Sequence, residues 1–252
     1  MTGVPDKSFF KVRNLMVSFG SMVALKSVTF DVPRGGVFGI AGPNGAGKTT
    51  LLNVIAGAIR PTEGSVWLEG EQISGLKPMA VCHKGIGRTF QIPVVFPTLS
   101  VFNNIKIGMT FGHTSGKKRL KTIGEIIEFV GLNGKEEMIA GNLDLYSRKL
   151  VMLGAALATG PKVLLLDEPL GGLNFQEIEK YLRVIQEVNR EMGITLLLVE
   201  HLFDKLVEIS HEVMILHFGE KIYLGSANTV GDDPTVIQVY LGMKHYAAGR
   251  TS

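Results

Sequence analysis

A chain of 252 residues is one large domain or two small ones, and it can bury a core without disulfides or structural metals. Its 26 basic and 23 acidic residues leave a net charge of +3, which excludes the basic profile of a protein whose main partner is bare nucleic acid. Hydrophobic residues make up 45% and charged residues 19%, with a mean hydropathy of +0.23, so disordered and acidic-tail classes are excluded as well.

Residues 12–18 and 28–32 have strand composition and are separated by the turn-forming pair Gly20-Ser21. Val37–Ala41 is a short apolar run that ends in a glycine loop, 42–47. A helix is predicted over 49–59, with Leu51, Leu52, Val54 and Ile55 on its apolar side and Arg60-Pro61 as its stop. Residues 65–68 read as a strand. The stretch 91–159 lacks strong strand runs and carries helical periods such as Ile123, Ile126, Ile127 and Val130. It reads as a helical subdomain inserted into an α/β core. Residues 163–166 then form a buried, parallel-type strand. A helix over 176–192 closes at Gly193. A strand at Thr195–Val199, a short helix over 202–209 and strands over 213–217 and 221–224 follow. The alternation predicts a mostly parallel sheet with flanking helices.

No apolar run approaches the ~18 residues of a membrane span. Residues 1–7, with Pro5 and Asp6, lack the apolar core of a signal peptide. The single cysteine, Cys82, rules out a disulfide framework and suits a chain that faces the cytosol. The apolar excess therefore belongs to buried strands or to a surface that another protein covers.

Gly42-Pro43-Asn44-Gly45-Ala46-Gly47-Lys48-Thr49-Thr50 matches G-x-x-x-x-G-K-[ST] in full, with an apolar strand before it and an amphipathic helix after it. Glycines let backbone N–H groups turn inward around phosphate oxygens, and the helix N-terminus adds its positive end. Lys48 is placed to reach the β- and γ-phosphates and the Thr49 hydroxyl to ligate Mg²⁺. The strand 163–166 ends in Asp167-Glu168. Asp167 would hold Mg²⁺ and Glu168 would act on the attacking water as a general base. Together the two motifs point to nucleoside-triphosphate hydrolysis.

Further landmarks stand in order: Arg88-Thr89-Phe90-Gln91, then Asp167-Glu168-Pro169 leading into Gly171-Gly172-Leu173-Asn174, then Glu200-His201. With them the chain resembles the ATPase subunit of an ABC transporter over about residues 8–242. The resemblance implies an α/β fold: a P-loop core with an antiparallel β part and an inserted helical subdomain. It divides the chain into core segments 8–91 and 161–230, a helical subdomain 92–160 with the signature region, and a helical tail 231–252. It also implies ATP and Mg²⁺ as cofactors. Phe19 would stack on adenine, although strand core is its plainer role. Gln91 would sense Mg²⁺ and the attacking water, His201 would contact the γ-phosphate, and Leu173 and Asn174 would form the turn between subunits. The other histidines, His83, His113, His211, His217 and His245, have no comparable context and no metal-site spacing.

The signature segment departs from the family's L-S-G-G-Q. Leu143, Asp144, Leu145, Tyr146 and Ser147 stand there, and only the leucine matches. A carboxylate facing the partner's γ-phosphate would repel it. Either Ser147 takes the role in a shifted register, or this face is weak. Wider similarity is to the larger ATPase of branched-chain amino-acid importers, through the Arg88–Gln91 segment, the tyrosine and the tail 233–242. That resemblance implies a second ATPase subunit with a normal signature, in a heterodimer rather than a homodimer. It also implies transmembrane permease subunits, indirectly a solute-binding protein, no nucleic acid, and a peripheral position on the cytoplasmic face of the cell membrane. An exporter ATPase and a non-transport ABC ATPase acting on nucleic acid or ribosomes remain as alternatives.

Two surfaces stay open. Ile92-Pro93-Val94-Val95-Phe96-Pro97 is either core of the insert or a groove for a short helix of a membrane subunit. The basic run 116–121 is either a solvated face or a contact for anionic headgroups.

Overall fold

The computed structural model describes residues 8–112 and 122–239 and builds them into two sheets. β1 (Ser8–Phe19) and β2 (Met22–Pro33) form a long antiparallel hairpin around Gly20, whose φ is 60°. Phe10, Val12, Leu15 and Val17 on β1, with Leu25, Val28, Phe30 and Val32 on β2, turn one face inward. Both strands outrun their predicted bounds because pairing continues through Phe10 at one end and through Val23, Met22 and Phe19 at the other.

β3 (Val37–Ala41) is buried at every residue and runs into α1 (Lys48–Ile55) through the glycine loop. The helix stops four residues short of the predicted 59, because Ala56 N–H closes on Leu52 and Gly57 turns away at φ 75°. β4 (Glu63–Leu68) and β5 (Glu71–Gln72) complete an antiparallel sheet of order β2-β1-β4-β5. Three elements were not predicted: β5, α2 (Pro78–Lys84) and β6 (Ile86–Arg88). In α2 only Val81 is buried, so no apolar period marks it. β6 has three residues, one of them Gly87.

The insert is helical, as expected. It comprises α3 (Val101–Phe111), α4 (Ile123–Phe129) and α5 (Leu145–Ala158). Ser100 caps α3, Thr122 and Glu125 form a capping box on α4, and Asp144 caps α5. The chain returns to the sheet at β7 (Val163–Asp167) and continues through α6 (Phe175–Met192), β8 (Thr195–Val199), α7 (Phe203–Ile209), β9 (Glu212–His217) and β10 (Glu220–Ser226). Gly193, left-handed at φ 66°, ends α6 at its predicted place.

The second sheet has the order β10-β9-β3-β8-β7-β6, parallel except for the β9–β10 hairpin. One hydrophobic core lies between the two sheets around α1, and the other joins the central sheet to the insert, α6 and α7. The observed fold is the predicted α/β class. Residues 234–239 are helical, with Asp233 Oδ1 accepting from the N–H groups of Thr235 and Val236. His113, His245, the basic run 116–121 and residues 240–252 lie outside the described residues.

Candidate functional site

β3 ends in the middle of the second sheet, between β8 and β9, so its loop opens at the sheet's C-terminal edge. Gly42 has φ 145°, and a Cβ there would lie 2.0 Å from the Leu216 carbonyl oxygen. Gly47 has φ 103°, and its Cβ would lie 2.6 Å from the Ala24 carbonyl oxygen. Only glycine fits either place. Gly47 also stands at the N-cap of α1 with no side chain on the helix's first N–H groups, which leaves them to an anion.

Lys48 is buried, and its Nζ donates to the carbonyls of Gly42 at 2.7 Å and Pro43 at 2.9 Å. Burial pushes its ammonium below the ordinary lysine value, and the charges of Glu168 and Asp167 act in the opposite sense. The loop, Lys48, Thr49, Thr50 and Glu168 line a cleft of about 710 Å³, with the half-exposed Phe19 ring at its rim.

The acids stand at the end of β7, which β8 separates from β3, and Glu168 lines the cleft. Asp167 is 5% exposed, and its Oδ2 accepts from Arg88 Nη2 at 2.8 Å. Arg88 Nη1 donates to Asn53 Oδ1 on α1 at 2.6 Å, and the guanidinium lies 4.9 Å from the Phe90 ring centre. Glu168 is a non-glycine residue at φ 46°, fastened by its N–H to the Val199 carbonyl at 2.9 Å. Such a backbone conformation costs roughly 1–3 kcal/mol and collects at functional sites. The Glu168 carboxylate accepts from Gln91 Nε2 at 2.7 Å and lies 2.5 Å from His201 Nε2. The ends of β6, β7 and β8 thus bring Gln91, Glu168 and His201 together, three residues far apart in the chain.

Two buried charges without an expected role sit behind this cluster. Lys149 on α5 is fully buried and its Nζ donates to the Gln91 carbonyl at 3.2 Å. Glu200 is 3% exposed, and its carboxylate accepts from Leu170 N–H at 2.7 Å and His201 N–H at 3.1 Å. Burial pushes the Glu200 carboxyl up, and the N–H groups of Leu170, His201 and Leu202 oppose that shift. The role of Arg88 was also missed. Its only sequence signal was its place in the Arg88–Gln91 run.

In the 143–147 segment Leu143 is core, and Asp144 Oδ1 accepts from Ser147 N–H at 2.6 Å to cap α5. That bond holds the Asp144 carboxyl below its ordinary value. Ser147 is buried, with its hydroxyl accepting from Lys135 Nζ at 2.9 Å. Tyr146 meets the buried Tyr181 edge-on at 6.4 Å, and Leu145 packs against Gly172. Asn174 caps α6 in a capping box with Glu177, and Leu173 N–H closes on the Leu170 carbonyl. Of the histidines without assigned roles, His211 Nδ1 accepts from Val37 N–H at 2.9 Å and His83 Nε2 is 3.1 Å from the Phe111 carbonyl.

A strand–glycine loop–helix joined to a strand-end acid pair defines a nucleoside-triphosphate hydrolase built on a parallel sheet. Residues 25–171 match the family model described as ABC transporter. The chain is 34% identical over 236 residues to the "Probable sulfate/thiosulfate import ATP-binding protein CysA" of Chlorella vulgaris, across 92% of this chain and 98% of that one. It is 29% identical over 252 residues to the high-affinity branched-chain amino acid transport ATP-binding protein BraF of Pseudomonas aeruginosa, across 94% and 99%. Its structure matches the ADP conformation of MJ1267, an ATP-binding cassette of an ABC transporter, with a TM-score of 0.83 and 32% identity over 93% and 99% of the two chains. The chain belongs to the ABC transporter family, as an ATP-binding subunit that hydrolyses ATP. Cassettes of this family act as dimers with transmembrane permease subunits. Among the described residues no helix is long and apolar enough to cross a membrane.

Proposed function

We propose that this ATPase powers import of branched-chain or related amino acids, bound peripherally at the cytoplasmic face of the cell membrane. In this reading 8–91 and 161–230 form the nucleotide-binding core, 92–160 the helical subdomain and 231–252 the tail. The Arg88–Gln91 run and the likeness to BraF support the cargo class.

The observation that carries the catalytic reading is the Glu168 carboxylate held between Gln91 and His201 at the mouth of the phosphate loop. The N–H groups of 42–50 and the start of α1 hold the phosphates. Lys48 exchanges the carbonyls of Gly42 and Pro43 for phosphate oxygens. His201 leaves Glu168 for the γ-phosphate, and the freed carboxylate takes the proton of the attacking water while Gln91 orients that water. Phe19 stacks on the base. The donor set suits Mg²⁺: the Thr49 hydroxyl, the Gln91 amide oxygen and the Asp167 carboxylate are all hard oxygens, and among the described residues no His/Cys/Asp/Glu cluster competes as a metal site. When bound, the ion neutralises phosphate charge.

The partner in this reading is a second, different ATPase subunit. Asp144 spends its carboxylate capping its own helix, and Ser147 is buried with its hydroxyl bonded to Lys135, so this face offers a phosphate a negative charge and no free serine hydroxyl. A normal signature on the other subunit completes the site at Lys48 and Glu168. Ile92, Val94 and Phe96 are 77%, 66% and 54% exposed, which supports a groove for a permease helix over a core segment. A solute-binding protein delivers cargo to the permeases.

Co-purification from the native membrane tests the assignment. Recovery with two permeases and a second ATPase, and loss of leucine uptake when the chain is deleted, are the expected results. A homodimer with cooperative hydrolysis on its own removes the heterodimer, and unchanged leucine uptake removes the cargo class.

A further inference from the structure

The β9–β10 turn holds an aromatic ring out in solvent beside the phosphate loop. Phe218 is 71% exposed and lines the same cleft of about 710 Å³ as Phe19, Met22, Val23 and Lys48. Its φ is 46°, a left-handed conformation that a bulky L residue keeps only where its surroundings over-determine it. The surroundings here are specific. Gly219 N–H donates to the Ala46 carbonyl in the phosphate loop at 3.0 Å, and Lys26 N–H on β2 donates to the Gly219 carbonyl at 2.8 Å. Lys26 Nζ also donates to Glu220 at 2.9 Å, so the residue after the turn is tied to the same strand. The His217 ring lies against the Phe218 ring, with centroids 4.4 Å apart and the planes tilted by 55°.

The turn is therefore anchored to the loop that binds phosphate, yet its one large side chain is left out of both cores. A rigid, uncovered ring at the rim of a ligand cleft has an apolar face to give to a ligand. Phe19 and Met22 at the tip of the β1–β2 hairpin line the same cleft and are also exposed.

We propose that Phe218 is the second wall of the nucleobase site, with the purine of the bound nucleoside triphosphate lying between its ring and the apolar rim of Phe19 and Met22. This rests on the reading of 42–50 as the phosphate site. The loop anchors the triphosphate, and the turn bonded to Ala46 sets the distance from that anchor to the base. Stacking uses the π-face that every purine presents, so Phe218 supplies affinity for the base rather than discrimination between bases.

The test is calorimetric binding of two probes, ATP and inorganic tripolyphosphate, which has the phosphates and no base. Phe218→Ala weakens ATP binding about tenfold and leaves tripolyphosphate within about twofold, while Phe218→Tyr keeps ATP affinity. Unchanged ATP affinity in Phe218→Ala overturns the proposal. So does equal loss for both probes, because the turn then acts only through Gly219 on the phosphate loop. A wild-type chain that binds neither probe overturns the phosphate-site reading itself, and the proposal with it.

Discussion

Lys149 Nζ donates to the backbone carbonyl of Gln91 at 3.2 Å, so α5, the helix capped by Asp144, is joined by a buried ammonium to the loop that carries Gln91. Burial pushes the Lys149 ammonium below its ordinary value, and the charges of Glu200 and Glu168 act in the opposite sense. The cation thus lies among the groups around the phosphate cleft without reaching the cleft. Lys149→Met removes the donor but fills the same space. Removing one buried charge while Glu200 and Glu168 keep theirs costs stability, so the variant should melt lower than wild type. Losing the placement of Gln91 also slows the chemistry, and kcat should fall about tenfold with KM for ATP within about twofold. Lys149→Arg should recover part of the rate. Steady-state kinetics beside a thermal melt would decide it, and an unchanged kcat would sink the link.

Glu168 is held by Gln91 and His201 on one strained backbone residue. Glu168→Gln keeps the shape and removes the base. ATP binding should persist while turnover drops by a factor of about 100 or more. Phosphate release measured at saturating ATP checks it, and near-normal turnover would take Glu168 out of its role.

Asp144 caps α5 through Ser147 N–H, and its carboxyl is held below the ordinary 3.8 chiefly by that N–H. A lowered folded-state value means the folded chain holds this proton less well than the unfolded chain. The stabilisation is therefore complete above the ordinary value and is lost as pH falls through the folded value. Asp144→Ala should cost about 1 kcal/mol at neutral pH. Asp144→Ser keeps the cap without titrating, so it should lose less stability than wild type between about pH 5 and about pH 2. Urea melts across that range are the measurement, and parallel losses in both chains would contradict the assignment.

Phe96 stands out of the fold while its N–H is pinned to Asn104 Oδ1 at 2.7 Å. Phe96→Asp leaves that backbone bond in place. The variant should melt within about 0.5 kcal/mol of wild type and bind ATP normally, yet fail to co-purify with permeases. Loss of folding or of ATP binding would return this segment to the core of the insert.

Some of this architecture was legible without coordinates. Val37–Ala41 and Thr195–Val199 are buried at every residue, and continuous apolar runs of that length read as buried strands. α6 ends where Gly193 said it would, because a left-handed C-terminal residue is a local demand. α2 was not legible, because Val81 is its only buried residue and a single apolar position has no period. The helix after the phosphate loop was read too long because Ala58 and Ile59 continue an apolar composition after Gly57 has already turned the chain.

The sequence by itself determined the glycine loop, the strand-end acids and the family. Each is a contiguous run whose chemistry depends on backbone groups a few residues apart. Only the tertiary structure decided what surrounds them. Arg88 meets Asp167 across 79 residues and Lys149 meets Gln91 across 58. The Phe218 turn meets Ala46 only because β9 lies beside β3. The first and last of these follow from the sheet order β10-β9-β3-β8-β7-β6, where neighbours in space are distant in the chain, and the second from the packing of α5 beside β6. Strand order is selected by the burial of whole faces against one another, a property of the packed molecule that no short window of residues carries.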